Sequence, residues 1–404
     1  MEAARRLGVP LTVASERPST FEQAQPERLL TLDFPNPELA AEQAARFAQR
    51  HPIAGVVGVD DDTAVVAAAI AERLQLRGNP LPAAVAARDK HLQRMKLAEK
   101  GVPVPRFELR RVGEDVTDLA MHARYPCVLK PLRLSASRGV IRADDPPGFV
   151  AAFERLKRIL EQAGCEMRDV GGVEGSASRI PHPASRCVLV EEFISGPEVA
   201  LEGLVTGGRL QVLTLFDKPD PLDGPFFEET IYTTPSRLPP QAQAAIAGCA
   251  QAAVTALDLR EGPIHAELRY NERGPWLIEL AARPIGGRCS GALQFRGGAS
   301  LEDVIVGHAV GMSLPSLERE RQAAGVMMIP VPGAGVVREV QGVAAARALP
   351  LIDDVVITAH PGQTLVPWPE GSRYPGFIFA RGETPQAVER ALRAAHRRLE
   401  FVLD

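Results

Sequence analysis

Residues 264–280 constrain this chain more than any other stretch, because two alternating strands flank a single turn there. Apolar and polar side chains alternate on both sides of the turn at 271–274. A three-residue loop of 272–274, with its glycine in the left-handed conformation, is a common way to close such a hairpin. This loop predicts a register in which Glu267 lies directly opposite Glu279. Opposite residues share one face of a sheet, with Cβ atoms about 5 Å apart.

Two facing carboxylates repel, and the repulsion is relieved either by a raised pKa on one of them or by a cation between them. Mg²⁺ is the simpler solution, because it prefers one or two carboxylates together with water and substrate phosphates. His265 and Arg269 alternate onto the face of Glu267, and Arg283 follows Glu279 by four residues. The alternative interpretation is an ordinary solvated hairpin whose carboxylates form surface ion pairs.

Two further stretches carry polar groups at strand ends. Lys130 ends an apolar strand and precedes a small-residue loop at 135–139, and such a loop can lay backbone N–H groups over phosphates. In the second stretch, 188–203, an apolar strand ends in Glu191 and Glu192 and turns before Glu198. Backbone groups in such a connection can read an adenine edge, while the carboxylate beyond can accept from ribose. Taken alone, either stretch also fits an ordinary connection between strands.

Composition limits the class of protein. A chain of 404 residues with 45% apolar residues can bury a large core in two or three domains. The net charge of −4 and the scattered cations argue against a nucleic-acid partner. Its five cysteines form no C-x-x-C pair, so we expect neither a disulfide framework nor a zinc site, and a reducing cytoplasm fits best. The sequence contains no membrane-spanning run and no signal peptide, so we expect no membrane partner.

The order of elements predicts three units. Residues 1–84 alternate helices and strands, including a strand at 54–59, as a small parallel α/β domain does. That domain lacks the apolar strand with which such domains open, so either the start site is misassigned or a sheet edge must be covered. Residues 85–312 form an α+β unit with a loose insertion at 164–186. Residues 313–404 are predicted to form a small α/β unit that ends in a helix from Thr384 to about 402.

In this order and spacing, these pieces resemble the ATP-grasp superfamily over about residues 86–312. The lysine before a small-residue loop, EEFISGPE, and HAEL followed by IELAARPIGG carry the resemblance as a set. It implies an ATP-grasp fold with a lid at about 123–194, between an N-terminal pre-ATP-grasp domain and a small C-terminal domain. It also implies ATP as the cofactor, with Mg²⁺ or Mn²⁺.

The resemblance also implies roles for single residues. Glu267 and Glu279 would hold the metal ion, while His265 and Arg283 would face an acyl phosphate. The nucleotide would be contacted by residues in three groups: the phosphate-binding lysines, the lid loop and the segment around adenine and ribose. These are Lys90 and Lys130, then Ser135, Ser137 and Gly139, and then Glu191, Glu192, Ile194 and Glu198.

The last motif departs from the E-x-N of many ATP-grasp enzymes, because Ala281 stands where the asparagine ligand would be. The E-x-x-A-R form at 279–283 is similar to the L-amino-acid ligase branch, as are segment 216–229 and the C-terminal unit. This implies an ADP-forming carboxylate–amine ligase that works through an acyl phosphate on small acid and amine substrates. A homodimer is compatible with this resemblance. Segment 216–229 contains Asp217 and Lys218, which belong either to a substrate loop or to a surface turn.

Two other functions remain open. A carboxylase or a ligase of nucleotide biosynthesis would share the fold, although the E-x-x-A-R form speaks against both. A nucleotide-binding regulatory protein without turnover is the alternative from another class, and the full set of charged motif residues argues against it. The identity of the acid and of the amine lies beyond what these motifs predict.

Overall fold

The computed structural model describes residues 1–19, 21, 25, 27–170, 186–313 and 316–404, and only the backbone of 165–170. In the first unit, two short parallel strands are accompanied by three helices whose buried faces consist mainly of alanine and valine. Asn36 caps one helix, and a capping box of Asp60 and Thr63 starts the next. These elements are α1 (Glu2–Arg6), β1 (Val13–Ser15), β2 (Leu29–Thr31), α2 (Pro37–Ala48) and α3 (Asp61–Arg73).

The strand predicted at 54–59 is wrong, because these residues belong to no strand. Within the described part of the chain, no neighbouring strand pairs with this segment. It runs instead against a helix near residue 309, where a Cβ on Gly55 would lie 2.5 Å from the Ala309 carbonyl oxygen. An apolar stretch becomes a strand only where a neighbouring strand satisfies its backbone.

A helical connection leads from the first unit to the next and places Lys90 at a helix start. Asp89 separates the two helices and caps the second one, accepting hydrogen bonds from the backbone N–H groups of His91 and Leu92. The Lys90 N–H donates to the Leu132 carbonyl oxygen (3.1 Å), which ties this helix start to the lid. The two helices are α4 (Leu81–Arg88) and α5 (Lys90–Glu99).

The lid is a four-stranded antiparallel sheet covered by two helices. Its strand order is β3-β6-β4-β5, and its core includes Leu129, Phe149, Phe153 and Leu156. The loose insertion predicted at 164–186 is partly wrong, since 164–170 continue the long helix, and 171–185 lie outside the described residues. The elements are β3 (Phe107–Arg111), α6 (Val116–His122), β4 (Cys127–Pro131), β5 (Ile141–Ala143), α7 (Pro146–Val170) and β6 (Cys187–Glu192).

An eight-stranded sheet forms the body of the protein, in the order β11-β10-β7-β8-β9-β12-β16-β14. It continues across the unit boundary predicted at 313, because β9 pairs with β12. Its elements up to this boundary are β7 (Glu198–Thr206), β8 (Arg209–Asp217), β9 (Ile231–Thr234), α8 (Pro240–Ala256), β10 (Glu261–Asn271), β11 (Gly274–Ala281) and α9 (Leu301–Ala309).

The C-terminal part adds three strands to this sheet and forms a small sheet of its own, ordered β15-β13-β17. The helix predicted to run to about 402 ends at His396, and 400–403 form a strand on β13. The elements are β12 (Ala323–Met328), β13 (Gly335–Gln341), α10 (Val343–Arg347), β14 (Ile352–Ile357), β15 (Thr364–Leu365), β16 (Gly376–Gly382), α11 (Pro385–His396) and β17 (Glu400–Leu403).

In the hairpin β10–β11, Glu267 pairs with Glu279 as predicted, but the loop length and the strand register differ from the prediction. Asn271 pairs with Gly274, so the loop has two residues rather than the predicted three. A β-bulge follows, since Glu267 pairs with Glu279 while Leu268 pairs with Leu277. The extra residue in the bulge compensates for the shorter loop, and Glu267 lies opposite Glu279 as predicted.

The strand predicted to end at Lys130 is β4, and the strand predicted to end in Glu191 and Glu192 is β6. The sequence analysis did not predict β3, β5, β9, α6 or α9. None of the described helices is both long and apolar enough to cross a membrane.

Candidate active site

Two buried lysines mark the side of the cleft under the lid. Lys90 Nζ lies 2.9 Å from Glu279 Oε1 on β11 and donates to the Leu134 carbonyl oxygen (3.1 Å) before the lid loop. Lys130 Nζ, at the end of β4, lies 2.7 Å from Glu191 Oε2. Helix start, lid strand and hairpin thus bring both predicted phosphate-binding lysines to one region, each already paired with a carboxylate.

Glu191 is an internal counter-ion. Arg94 Nε lies 2.5 Å from Glu191 Oε1, and the same carboxylate accepts from Lys130. Burial opposes its ionisation, but the attraction of Arg94 and Lys130 outweighs burial and lowers the pKa of Glu191. The carboxylate therefore stays charged between two cations. Arg94 had no signal of its own in the sequence, because it sits on a helix as one of several basic residues.

The lid loop contains Ser135, Ser137 and Gly139 in a tight turn. Ser135 Oγ donates to Asp61 Oδ2 (2.6 Å), so a residue at the start of α3 contacts the loop. Ser137 has φ of +55°, and Gly139 has φ of +74°. The loop lies next to Lys90, as a phosphate cover must.

The segment predicted to contact adenine and ribose follows β6. Glu192 pairs at the surface with Arg106 (2.9 Å), and the carbonyl oxygen of buried Ile194 accepts from Arg269 Nη1 (2.7 Å). Buried Glu198 also binds Arg269, with Nε to Oε2 at 2.8 Å, and contacts Lys218. Arg269 thus joins the two ends of this connection and fixes its shape.

The two hairpin carboxylates are each balanced by different cations. Glu279 binds Lys90, whereas Glu267 Oε1 lies 3.0 Å from Lys218 Nζ and 3.7 Å from His265 Nε2. Their repulsion is therefore relieved by protein cations, an arrangement that the sequence did not predict. The attraction of Lys218 and His265 overcomes burial and keeps the pKa of Glu267 well below its usual range.

Lys218 is the centre of a buried acidic cluster formed by Glu198, Glu229 and Glu267. It contacts all three carboxylates, and their ligand oxygens lie within 4.8 Å of one another. Oxygen atoms of carboxylates are the donors that Mg²⁺ and Mn²⁺ prefer, so the donor set fits such an ion. Of the two predicted ligands, Glu267 belongs to this cluster and Glu279 lies across the hairpin from it.

His265, on β10, lies between two carboxylates, Glu202 on β7 and Glu267 on β10. Its Nδ1 contacts buried Glu202, and its Nε2 faces Glu267. Burial disfavours its charge, but Glu202 and Glu267 outweigh burial and raise the pKa of His265 to about 9. Both ring nitrogens face carboxylates, and this arrangement favours the charged ring as a hydrogen-bond donor.

Arg283 follows β11 and points towards the first unit. Its Nε lies 2.9 Å from Asp61 Oδ1 and its Nη2 lies 3.3 Å from Oδ2, which is a two-pronged ion pair. The same Asp61 accepts from Ser135. Burial alone would raise the pKa of Asp61, but the positive charge of Arg283 lowers it by more. The pKa of Asp61 therefore lies below its usual value. Asp61 went unnoticed in the sequence, because it looks like one of the acidic residues that favour a helix start.

The structure pairs the predicted charged residues in separate groups: Lys90 with Glu279, Lys130 with Glu191, Glu198 and Glu267 with Lys218, and Arg283 with Asp61. Glu192 lies apart from these groups, in a surface pair with Arg106. Sequence reasoning missed Asp61, Arg94, Glu202 and Glu229, and it left Lys218 undecided. Their signal is weak in the sequence, since each is a single charged residue at an ordinary position. The burial of Lys218 on an acidic sheet face becomes visible only in three dimensions.

Comparison with known protein families matches three parts of this chain. The family described as "ATP-grasp N-terminal domain" matches residues 1–78, and "ATP-grasp domain" matches 123–292. "L-amino acid ligase C-terminal domain 2" matches residues 327–404.

The chain is also similar to curated proteins and to solved structures. The chain is 25% identical to "Uncharacterized protein y4rH" of Sinorhizobium fredii over 91% of its own length and 72% of that protein. It is 28% identical to the alanine–anticapsin ligase of Bacillus subtilis over 53% of its length, which spans about half (45%) of that enzyme. The crystal structure of an L-amino acid ligase from Bacillus licheniformis superimposes with a TM-score of 0.77 at 26% identity, covering 100% of this chain and 95% of that one. These matches confirm the predicted fold class.

Proposed function

Because this chain belongs to the ATP-grasp superfamily and most resembles its L-amino-acid ligase branch, we propose that it is an ADP-forming carboxylate–amine ligase. It activates an amino acid or similar acid with ATP as an acyl phosphate and passes the acyl group to an amine or amino acid. In sequence order its three domains are 1–84, 85–312 and 313–404, although one sheet runs through the second boundary. The lid predicted at about 123–194 also takes in β3, since that strand belongs to the lid sheet.

One observation carries this proposal. Lys90 Nζ contacts both Glu279 on the hairpin (2.9 Å) and the Leu134 carbonyl oxygen before the lid loop (3.1 Å). A single cation therefore joins the carboxylate face to the loop that can cover phosphates. Phosphoryl transfer depends on such convergence, since catalysis there is mostly positioning and charge stabilisation.

The proposal gives each nucleotide-binding residue the role that the resemblance to the ATP-grasp superfamily implies. Lys90 and Lys130 bind phosphate oxygens, and the loop with Ser135, Ser137 and Gly139 covers them and excludes water. Glu191, Glu192 and Ile194 flank the adenine, and Glu198 accepts from the ribose. Of these, Glu191 acts through Lys130, because its side chain is already bound by that lysine and by Arg94.

Glu267 and Glu279 would hold Mg²⁺ or Mn²⁺. Bound there, the ion would neutralise charge on the phosphates. In the structure, Lys218 and Lys90 balance these two carboxylates. Metal binding therefore requires each carboxylate to exchange at least part of its lysine contact for the ion, while Lys90 turns to the phosphates.

The reaction then proceeds in two steps. A carboxylate oxygen of the acid bonds to the γ-phosphorus while the bond to the ADP oxygen breaks. The amine next bonds to the acyl carbon, the bond from that carbon to the phosphate oxygen breaks, and the proton lost from the nitrogen ends on the released phosphate. Negative charge develops on the phosphoryl group and then on the acyl oxygen, and Arg283 and the His265 imidazolium donate to it. An Arg283 fork matches a phosphoryl group with two parallel hydrogen bonds.

The test is release of phosphate from ATP in a screen of amino-acid pairs, with product masses measured by mass spectrometry. Phosphate release that requires both an acid and an amine, and yields a product of their summed mass less water, supports the ligase. Bicarbonate-dependent release without an amine would indicate a carboxylase. Tight Mg-ATP binding without phosphate release for any pair would favour a regulatory protein.

A further inference from the structure

A turn of the C-terminal unit lies on the lid loop. This turn, residues 366–371, is called here the clamp turn. The Trp368 indole Nε1–H donates to the Ala136 carbonyl oxygen (2.8 Å), and the Pro369 carbonyl oxygen accepts from the Gly139 N–H (2.8 Å). More than 220 residues separate the partners in sequence. Both ends of the lid loop are thus hydrogen-bonded to one short segment outside the lid.

The clamp turn also binds the long lid helix. Arg155 on α7 donates two parallel hydrogen bonds to Glu370, with Nε to Oε1 at 2.7 Å and Nη2 to Oε2 at 2.8 Å. The same guanidinium lies over the Phe226 ring at 4.7 Å, which restricts its rotation. A two-pronged pair fixes direction as well as distance. The clamp turn therefore contacts the loop and the helix of the lid together.

The lid loop needs such support, because its backbone is held in an unfavourable conformation. Ala136 and Ser137 are consecutive non-glycine residues with φ of +55°. A left-handed conformation costs roughly 1–2 kcal/mol for each such residue, and it persists only where neighbours determine it. The contact at Ala136 comes from Trp368. Without the clamp turn, this stretch would relax towards ordinary backbone angles.

The clamp turn is itself well fixed. Trp368 is 5% exposed, and its ring packs against Tyr374 with centroids 4.8 Å apart. The Gly371 N–H closes the turn on the Pro367 carbonyl oxygen (2.9 Å). A Cβ on Gly371 would lie 1.8 Å from the Val366 carbonyl oxygen, so the turn is closed too tightly for a side chain there. A rigid element can hold a strained loop, whereas a flexible one cannot.

We propose that Trp368, Pro369 and Glu370 are positioning residues of the ATP site, which hold the lid loop in the shape that covers the phosphates. The C-terminal unit thereby completes the nucleotide site without touching the reacting atoms. This inference rests on the proposed function, because it takes the loop at 135–139 to be a phosphate cover. It predicts that the clamp turn acts on nucleotide binding and not on the amine or the acid.

The first test combines Trp368→Phe with hydrogen exchange and calorimetry of the full chain. The variant keeps an aromatic ring against Tyr374 and removes the N–H that binds Ala136. Loss of one buried hydrogen bond should raise amide exchange at 135–140 and weaken Mg-ADP binding by about fivefold each. Unchanged exchange and unchanged Mg-ADP affinity in a folded variant would overturn the proposal.

The second test keeps the proposal falsifiable if the tryptophan variant does not fold. Glu370→Gln removes the charge from the pair with Arg155, and both side chains are about one-third exposed, so folding should survive. Glu389→Gln is the matched control, because Glu389 also pairs with arginines, Arg393 (2.9 Å) and Arg237 (3.2 Å), and makes none of the described lid contacts. We expect weaker Mg-ADP binding, about threefold, only in the first variant. Equal affinities in the two variants would contradict the proposal.

The kinetic pattern separates positioning from general stability. With a working substrate pair, Trp368→Phe and Glu370→Gln should raise KM for ATP and leave KM for the acid and for the amine within about twofold. A uniform rise of all three KM values would assign the clamp turn to folding alone. Failure of the ligase proposal has a different signature, namely no phosphate release by the wild-type chain with any pair.

Discussion

Asp61 and Arg283 form a two-pronged ion pair across 222 positions of the chain, with Nε to Oδ1 at 2.9 Å and Nη2 to Oδ2 at 3.3 Å. Asp61 also accepts from Ser135 of the lid loop, and the positive charge of Lys90 lowers the pKa of Asp61 further. A carboxylate of the first unit thus occupies donors that the proposed reaction needs for a phosphoryl group. Substrate binding must compete with this internal anion.

Asp61→Asn should therefore favour ATP over ADP. The asparagine keeps the shape of the side chain but removes a negative charge that would repel the γ-phosphate, and Arg283 remains a donor for the transition state. We expect Mg-ATP affinity to rise about threefold relative to Mg-ADP affinity, as measured by titration calorimetry, because ATP carries the additional phosphate charge that Asp61 repels. Asp62→Asn, one position along α3, is the control. A fall in Mg-ATP affinity would mean instead that Asp61 orients Arg283 for the nucleotide.

Arg283→Lys should slow ligation without weakening ATP binding. Lysine keeps the charge but lacks the two-pronged fork that matches a phosphoryl group. An interaction made chiefly in the transition state lowers kcat and kcat/KM together. We expect ligation at least about tenfold slower, a loss of roughly 1.4 kcal/mol, with ATP affinity unchanged. Wild-type turnover in this variant would leave Arg283 as a structural partner of Asp61.

Glu279→Gln should remove most turnover and also lower the melting temperature. Loss of a metal ligand should reduce turnover at least about a hundredfold. Relief of repulsion with Glu267 would by itself raise stability, but Glu279 balances buried Lys90 at 2.9 Å. Removing that charge should cost about 1–3 kcal/mol of unfolding free energy. Glu318→Gln is the control, since Glu318 pairs with Arg296 where both side chains are exposed. Near-normal turnover would contradict the metal assignment.

Glu191→Gln should destabilise the fold more than Glu192→Gln. Glu191 is a buried counter-ion for Arg94 and Lys130, and breaking such a pair costs about 3–5 kcal/mol. Glu192 pairs with exposed Arg106, where the loss should stay below about 1 kcal/mol. Urea unfolding at pH 7 measures the difference, and equal losses would mean that Glu191 is not a buried counter-ion.

The cost of Glu191→Gln should also depend on pH. The pKa of Glu191 is lower in the folded than in the unfolded protein, so its stabilisation is fully present only above the unfolded value of about 4.3. This stabilisation is lost as the pH falls through the folded-state pKa. The gap in unfolding free energy between wild type and variant should therefore stay constant from pH 7 down to about 4.3 and narrow as the pH falls below that value. A gap that does not narrow below this pH would show that the glutamate charge does not contribute.

The sequence determined the elements whose formation depends on local pattern. Alternation predicted the strands of the hairpin, apolar runs predicted the two lid strands that end near Lys130 and Glu191, and the cap residue Thr384 predicted a helix start. Glu267 was placed opposite Glu279 even though the loop length was wrong, because a bulge compensates for the shorter loop. The order of the motifs also indicated the fold, through their resemblance to the ATP-grasp superfamily.

Tertiary structure decided everything that depends on partners distant in sequence. The segment at 54–59 has the composition of a strand but pairs with none in the described chain, and 400–403 became a strand because β13 lies beside it. The counter-ions of the site were equally hidden, since Lys218 and Asp61 have ordinary local surroundings. Whether a side chain is buried, and which charges face it, depends on how segments distant in sequence pack together. The sequence names the reactive groups, and only packing decides which cation faces which carboxylate.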